Sequence, residues 1–150
     1  GQIVQFGPPL TVYREPATTF VANFLGSPPM NLLPVRYEGG AFKAATFELD
    51  AGPFAERLRG IAAGSQLTLG VRPEHVRMGG AGDAWRIPGE VYAVEPLGPE
   101  SLVTLRVAGA LVTARLFGDD PPTATGATSF AFDPSNLHVF GPDGRRLAAR

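Results

Sequence analysis

FVANFLGSPPMN, residues 20–31, decides how the rest of the chain is read. Its first half is helical in pattern, because Phe20, Val21, Phe24 and Leu25 fall on one face at helical spacing. Its second half, Gly26-Ser27-Pro28-Pro29, stops a helix: glycine accepts left-handed backbone, and proline lacks the amide donor a helix needs. The segment predicts a hinge between a helical unit and the chain beyond Met30. It begins only twenty residues from Gly1, so most of the unit it closes is expected to lie outside this sequence.

Upstream, residues 2–6 (QIVQF) alternate as a short strand that Gly7-Pro8-Pro9 ends. Residues 9–15 suit one or two helical turns. Residues 16–25 suit a helix, with Pro16 in the first turn and Gly26 at the stop. Core packing is the preferred reading of its two phenylalanines, ahead of any ligand role.

Downstream the pattern changes to period two. Strands are expected at 32–37, 41–48, 66–72, 87–96, 101–107, 111–117, 128–132 and 137–140. Turn signals separate them at Gly39-Gly40, Gly79-Gly80, Gly109-Ala110, Asp119 to Pro122 and Asp143-Gly144. Residues 53–62 are the one helical interruption, with Phe54, Leu58 and Ile61 at helical spacing. Glycine and proline supply 34 of 150 residues, which favours short strands and tight turns. Together these features predict a small all-β barrel or sandwich.

Two internal echoes suggest a duplicated β unit. Leu67-x-Leu69-x-Val71-Arg72-Pro73 parallels Thr128-x-Phe130-x-Phe132-Asp133-Pro134 at an offset of 61, and a short apolar strand comes after each, Val76 to Met78 and Leu137 to Phe140. Val35 to Gly39 parallels Leu105 to Gly109 at an offset of 70.

Composition narrows the chemistry. The net charge is -1 and Lys43 is the only lysine, so the clustered basic surface of a nonspecific nucleic-acid binder is missing. Trp85 is the sole tryptophan, which argues against an OB-type nucleic-acid platform. Without cysteine there is no disulfide, thiol catalyst or thiolate metal site. The chain has no phosphate-binding loop of the G-x-x-x-x-G-K-[ST] type and no G-x-S-x-G elbow. His75 and His138 lie in the two echoed segments and are expected to approach each other, yet two histidines without neighbouring acids make a poor metal site. Asp119-Asp120 suits a solvated turn. Glu95 and Glu100 flank Leu97-Gly98-Pro99 and suit contacts to backbone donors or arginines. Arg72-Pro73-Glu74-His75 sets polar side chains after an apolar strand, as a contact point or as turn chemistry. Asn31 is expected to close a turn on nearby backbone. No group of residues here supports an enzyme.

The run GQIVQFGPPLTVYREPATTFVANFLGSPPMN resembles the end of the nucleotide-binding domain in ATP-binding subunits of ABC importers of the sugar and glycerol-3-phosphate type. LGVRPEH (69–75), GEVYAVEPLGPES (89–101) and LHVFGPDGRRL (137–147) resemble later signatures of the same family, in the same order. The resemblance implies that residues 1–29 are the remnant of the ATPase domain and its linker. Residues 30–150 would form the regulatory domain, an OB-like β-barrel pair known as the TOBE region. It implies that the ATP-hydrolysing motifs lie upstream. This chain would then hold no catalytic, cofactor or metal residue, with ATP and Mg belonging to the other domain.

The implied partners are a second copy of the chain, membrane permease subunits bound by the parent and, in some members, a regulatory protein, with no nucleic acid. The implied place is the cytoplasm, with the parent on the inner face of the membrane. Two ATPase halves that separate in each cycle need a lasting contact elsewhere. That contact is expected around Arg72, Glu74, His75, Gly98, Glu100, Gly126 and Phe140, although Gly98 and Gly126 also suit plain turn requirements. The alternative is a small-ligand or oxyanion-binding barrel, as in related importers. Phe20, Val21 and Phe24 would pack partly on the absent domain, so residues 1–25 are expected to be poorly ordered or held by a neighbouring copy.

Overall fold

A computed structural model describes residues 3, 5–118 and 125–148. Among the described residues, two short helices, α1 (Pro9–Arg14) and α2 (Thr19–Phe24), precede ten strands. The strands are β1 (Asn31–Glu38), β2 (Ala41–Lys43), β3 (Glu48–Asp50), β4 (Ser65–Val71), β5 (Arg77–Met78), β6 (Arg86–Pro96), β7 (Glu100–Val107), β8 (Ala110–Phe117), β9 (Ala127–Ala131) and β10 (His138–Phe140). They form two five-stranded sheets, ordered β10-β4-β1-β2-β3 and β5-β9-β6-β7-β8. The mainly β, barrel-pair architecture expected from the sequence is the one observed.

Strand alternation builds the core. Asn31, Leu33 and Val35 of β1 point inward, as do Ser101, Val103, Leu105 and Val107 of β7. A single apolar cluster joins the inner faces of both sheets. Trp85 sits inside it, with ring centroids 5.7 Å from Phe54, 6.0 Å from Phe132 and 6.4 Å from Phe42. The only tryptophan is therefore a core residue.

The two sheets share one plan. β4 and β9 each run into a 3-10 turn opened by proline, Pro73–His75 and Pro134–Asn136. The chain then crosses over: β5 pairs with β9, and β10 pairs with β4. The registers coincide at the offset of 61. His138 faces Gly70 as Arg77 faces Ala131, and Val139 faces Leu69 as Met78 faces Phe130. The first echo is thus a repeat in the structure, each half lending its last strand to the other. The second echo is not. By strand order and register β1 corresponds to β6, with Leu33 facing Leu69 as Ile87 faces Phe130. Val35 to Gly39 and Leu105 to Gly109 look alike because each ends in a two-residue hairpin loop. Gly39-Gly40 and Ala108-Gly109 both take positive φ at both positions.

Other expectations change as well. Residues 41–48 form a hairpin rather than one strand, closed by a hydrogen bond from the Ala44 amide to the Phe47 carbonyl. Residues 53–62 form a 3-10 turn (Gly52–Phe54) and further turns rather than a helix. Their apolar spacing still serves packing, since Phe54 and Leu58 are buried and Ile61 packs at the core's edge. The helix expected over 16–25 spans only Thr19–Phe24, because the Thr18 hydroxyl caps it by accepting from the Val21 amide. Of the strand expected at 2–6, the described residues are in no strand, and the rest lie outside the described residues. So does Asp119-Asp120.

Candidate functional site

Arg72 ends β4 and turns its side chain back toward the two helices. Its Nη1 donates to the Leu25 carbonyl at 2.6 Å and to the Ala22 carbonyl at 3.4 Å, and its Nη2 donates to the Tyr13 carbonyl at 2.9 Å. The first two acceptors are carbonyls that α2 leaves unpaired at its C-terminal end, where a cation is favoured. The guanidinium also lies over the Tyr13 ring, 4.0 Å from its centroid. Only 2% of Arg72 is exposed, and its Nε has no partner among the described residues. Burial lowers the Arg72 pKa from its ordinary value, with Tyr13 and Glu74 opposing.

Glu74 completes the joint. Its Oε2 accepts from the Tyr13 hydroxyl at 2.6 Å. Burial alone would raise the Glu74 pKa. The Tyr13 hydroxyl, a backbone amide and the nearby His75 and Arg72 outweigh it, so the carboxyl sits below its usual range. The same contact raises Tyr13, where burial acts first and the Glu74 carboxylate second.

The 27–31 linker is stitched down too. The Asn31 amide donates to the Thr113 carbonyl and accepts from the Thr113 amide, both at 2.8 Å, so one side chain imitates a strand neighbour for β8. Arg115 donates to the Ser27 carbonyl at 2.7 Å. Met30 is buried with Ala22 and Phe140 in a small cluster of its own. A Cβ on Gly70 would come within 2.6 Å of the Met30 sulfur and 2.8 Å of the Phe140 ring, so glycine is what lets this cluster close over β4. The expected hinge is therefore a fastened joint, and Asn31 bonds to a strand 82 residues away rather than to a local turn.

The described part of residues 1–25 is also held within the chain. Gln5 bonds the Glu15 carbonyl and the Ala17 amide, Thr19 donates to Gly144, and Arg146 donates to Ala17. Phe20 and Phe24 are not core. They stack on each other at 6.1 Å and are 64% and 77% exposed, while Val21 and Ala22 face inward.

The residues expected to form one contact surface are dispersed. Arg72 is consumed inside the joint, and Phe140 is fully buried beneath α2, so neither presents a side chain to a partner. Glu74 is bound to Tyr13. Gly126 takes φ +104° in a turn, where its carbonyl accepts from the Val91 amide. Gly98 takes φ +86° in the turn between β6 and β7. Glu100 pairs with Phe117 and approaches Arg115 at 3.9 Å. This last corner carries exposed Leu97 and Phe117, the latter 73% exposed. His75 and His138 do share a site, lining one cleft of about 460 Å3. Among the described residues no group of three His, Asp or Glu is placed to hold a metal ion, and no helix is long and apolar enough to cross a membrane. Tyr13 and Thr113 escape sequence reading, because their partners lie 59 to 82 residues away and no local pattern marks them.

The MalK OB fold domain model matches residues 26–76, and the TOBE domain model matches residues 69–140. The two overlap on LGVRPEHV, which carries Arg72 and the first proline turn. The maltose/maltodextrin import ATP-binding protein MalK of Salmonella typhimurium is 34% identical over 158 residues, covering 98% of this chain and 42% of that protein. The sn-glycerol-3-phosphate import ATP-binding protein UgpC of Paraburkholderia xenovorans is 40% identical over 151 residues, covering 97% and 41%. The chain thus spans about 42% of the length of such relatives. Among solved structures, the cytoplasmic molybdate-binding protein ModG with molybdate bound aligns at a TM-score of 0.53 and 18% identity, over 75% of this chain and 96% of that one, a likeness of fold. The two domain matches, the relatives along almost the whole chain and the crossed pair of sheets lead to one conclusion: the chain belongs to the family of MalK-type OB-fold and TOBE domains of ABC importer ATP-binding proteins.

Proposed function

We propose that this chain is the non-catalytic regulatory and pairing domain of the ATP-binding subunit of an importer for sugars or related solutes. Two copies hold the assembly together while separate nucleotide-binding domains, which carry ATP and Mg, open and close. The parent works on the cytoplasmic face of the membrane with permease subunits, and a regulatory protein is a further candidate partner.

The observation that carries the pairing role is the β6–β7 corner. Leu97 and Phe117 stand exposed on either side of the Gly98 turn, where the Leu97 amide bonds Glu100 and the Gly118 amide bonds Pro99. A rigid corner with two large apolar side chains suits a two-fold contact. The stacked and exposed Phe20 and Phe24 offer a second apolar feature, on α2, that suits the ATPase domain. For the oxyanion-binding alternative, the ModG likeness at 18% identity speaks for the fold alone.

The chain has no cysteine, so one introduced thiol reports one contact. Leu97→Cys is expected to give a disulfide-linked dimer under mild oxidation, and Glu56→Cys, on a distant turn, is not. Equal crosslinking at both positions, or none at 97, would contradict pairing through this corner. The purified chain is also expected to leave Mg-ATP unhydrolysed.

A further inference from the structure

The cleft shared by His75 and His138 has an unusual charge for a chain of net charge -1. It opens between the end of α1, the 52–60 turns and the two proline turns. Four arginines line it, Arg14, Arg57, Arg72 and Arg146, each from a different segment, against one carboxylate, Glu15. None of the four has an ion-pair partner among the described residues. Arg72 and Arg146 each keep a buried Nε without a hydrogen-bond partner there. Arg72 contributes charge rather than a free donor, since its Nη atoms hold Tyr13 and α2, and Glu74 lies beside it.

Arg14, Arg57 and Arg146 line the cleft from separate segments, an arrangement that suits a tetrahedral dianion, whose terminal oxygens accept from separate forks. A carboxylate is satisfied by a single bidentate arginine and would leave the others unmatched. The cleft's volume also exceeds what a bare oxyanion fills, and Asn136 lines the remainder. We propose that this cleft binds a small soluble phosphate monoester. The binding is independent of the pairing role, because the β6–β7 corner contributes no residue to the cleft.

His138 provides an internal reporter. Burial and the facing Arg146, Arg72 and Arg57 hold its pKa at about 4, with Glu15 opposing. A dianion among those guanidiniums screens them and raises that value.

The test is an NMR titration of the chain with glycerol 2-phosphate at fixed ionic strength, with glycerol as control. Saturable shifts are expected at the end of α1 and in both proline turns, together with His138 taking up its proton at higher pH. The double variant Arg14→Gln/Arg57→Gln, outside the Arg72 joint, is expected to bind at least tenfold more weakly at unchanged melting temperature. Shifts that grow without saturation, equal shifts with glycerol, or undiminished binding by the double variant would overturn the proposal. Diffusion measured in the same samples reports oligomeric state separately, so the failure of pairing and the failure of anion binding are distinguishable.

Discussion

Arg72 joins two helices to a sheet through three backbone carbonyls. A buried guanidinium can do this because its planar fork donates in several directions at once, and its desolvation is offset only while those acceptors stay in place. Arg72→Ala leaves the Tyr13, Ala22 and Leu25 carbonyls unpaired and is expected to cost about 3 kcal/mol in urea unfolding. Arg72→Lys recovers only part of that, since one ammonium cannot span acceptors on two helices. The histidine facing the same cleft sets a pH dependence. His138 has a pKa of about 4 when folded against an ordinary 6.5. The unfolded chain therefore binds this proton first, and stability falls as pH drops from about 6.5 to about 4. His138→Gln is expected to flatten the unfolding free energy across that window, and an unchanged slope would show that His138 is not its source. The sequence marks Arg72 as polar after an apolar strand, which identifies an important residue. Whether such a residue faces outward or inward depends on Tyr13, 59 positions away, and no local pattern carries that information.

At the scale of elements, Asn31 is the stitch between β1 and β8. Its amide supplies both halves of a ladder pair to Thr113, so Asn31→Ala strands one donor and one acceptor and is expected to cost about 2 kcal/mol. Asn31→Asp keeps the acceptor and loses the donor, and is expected to fall between the two in the same denaturation series. Strands are largely legible from alternation, and β1, β4, β7 and β8 lie within a residue or so of their expected spans. The 41–48 segment is not, because Ala44 to Thr46 turn without glycine or proline to mark the bend. Residues 53–62 show the reverse case. Their helical spacing is real and buries Phe54 and Leu58, but hydrogen bonds there close mostly over three residues, and spacing alone does not separate a 3-10 run from an α-helix.

The whole molecule is two similar sheets that exchange their last strands. The exchange is half legible: the 61-residue echo locates the repeated unit, but pairing between copies is set by the two proline turns that redirect β5 and β10. Long-range contacts also fix α1 and α2 to the sheets. The domain carries exposed apolar side chains at two places, the Phe20–Phe24 stack and the Leu97–Phe117 corner. The proposed pairing role turns on self-association. Sedimentation equilibrium of the chain, alone and as Leu97→Ser/Phe117→Ser, tests it most directly. Pairing through the corner predicts the mass of two chains for the natural sequence, and a shift toward one chain of at least tenfold in dissociation constant for the variant; a single-chain mass for both across the concentration range would contradict it.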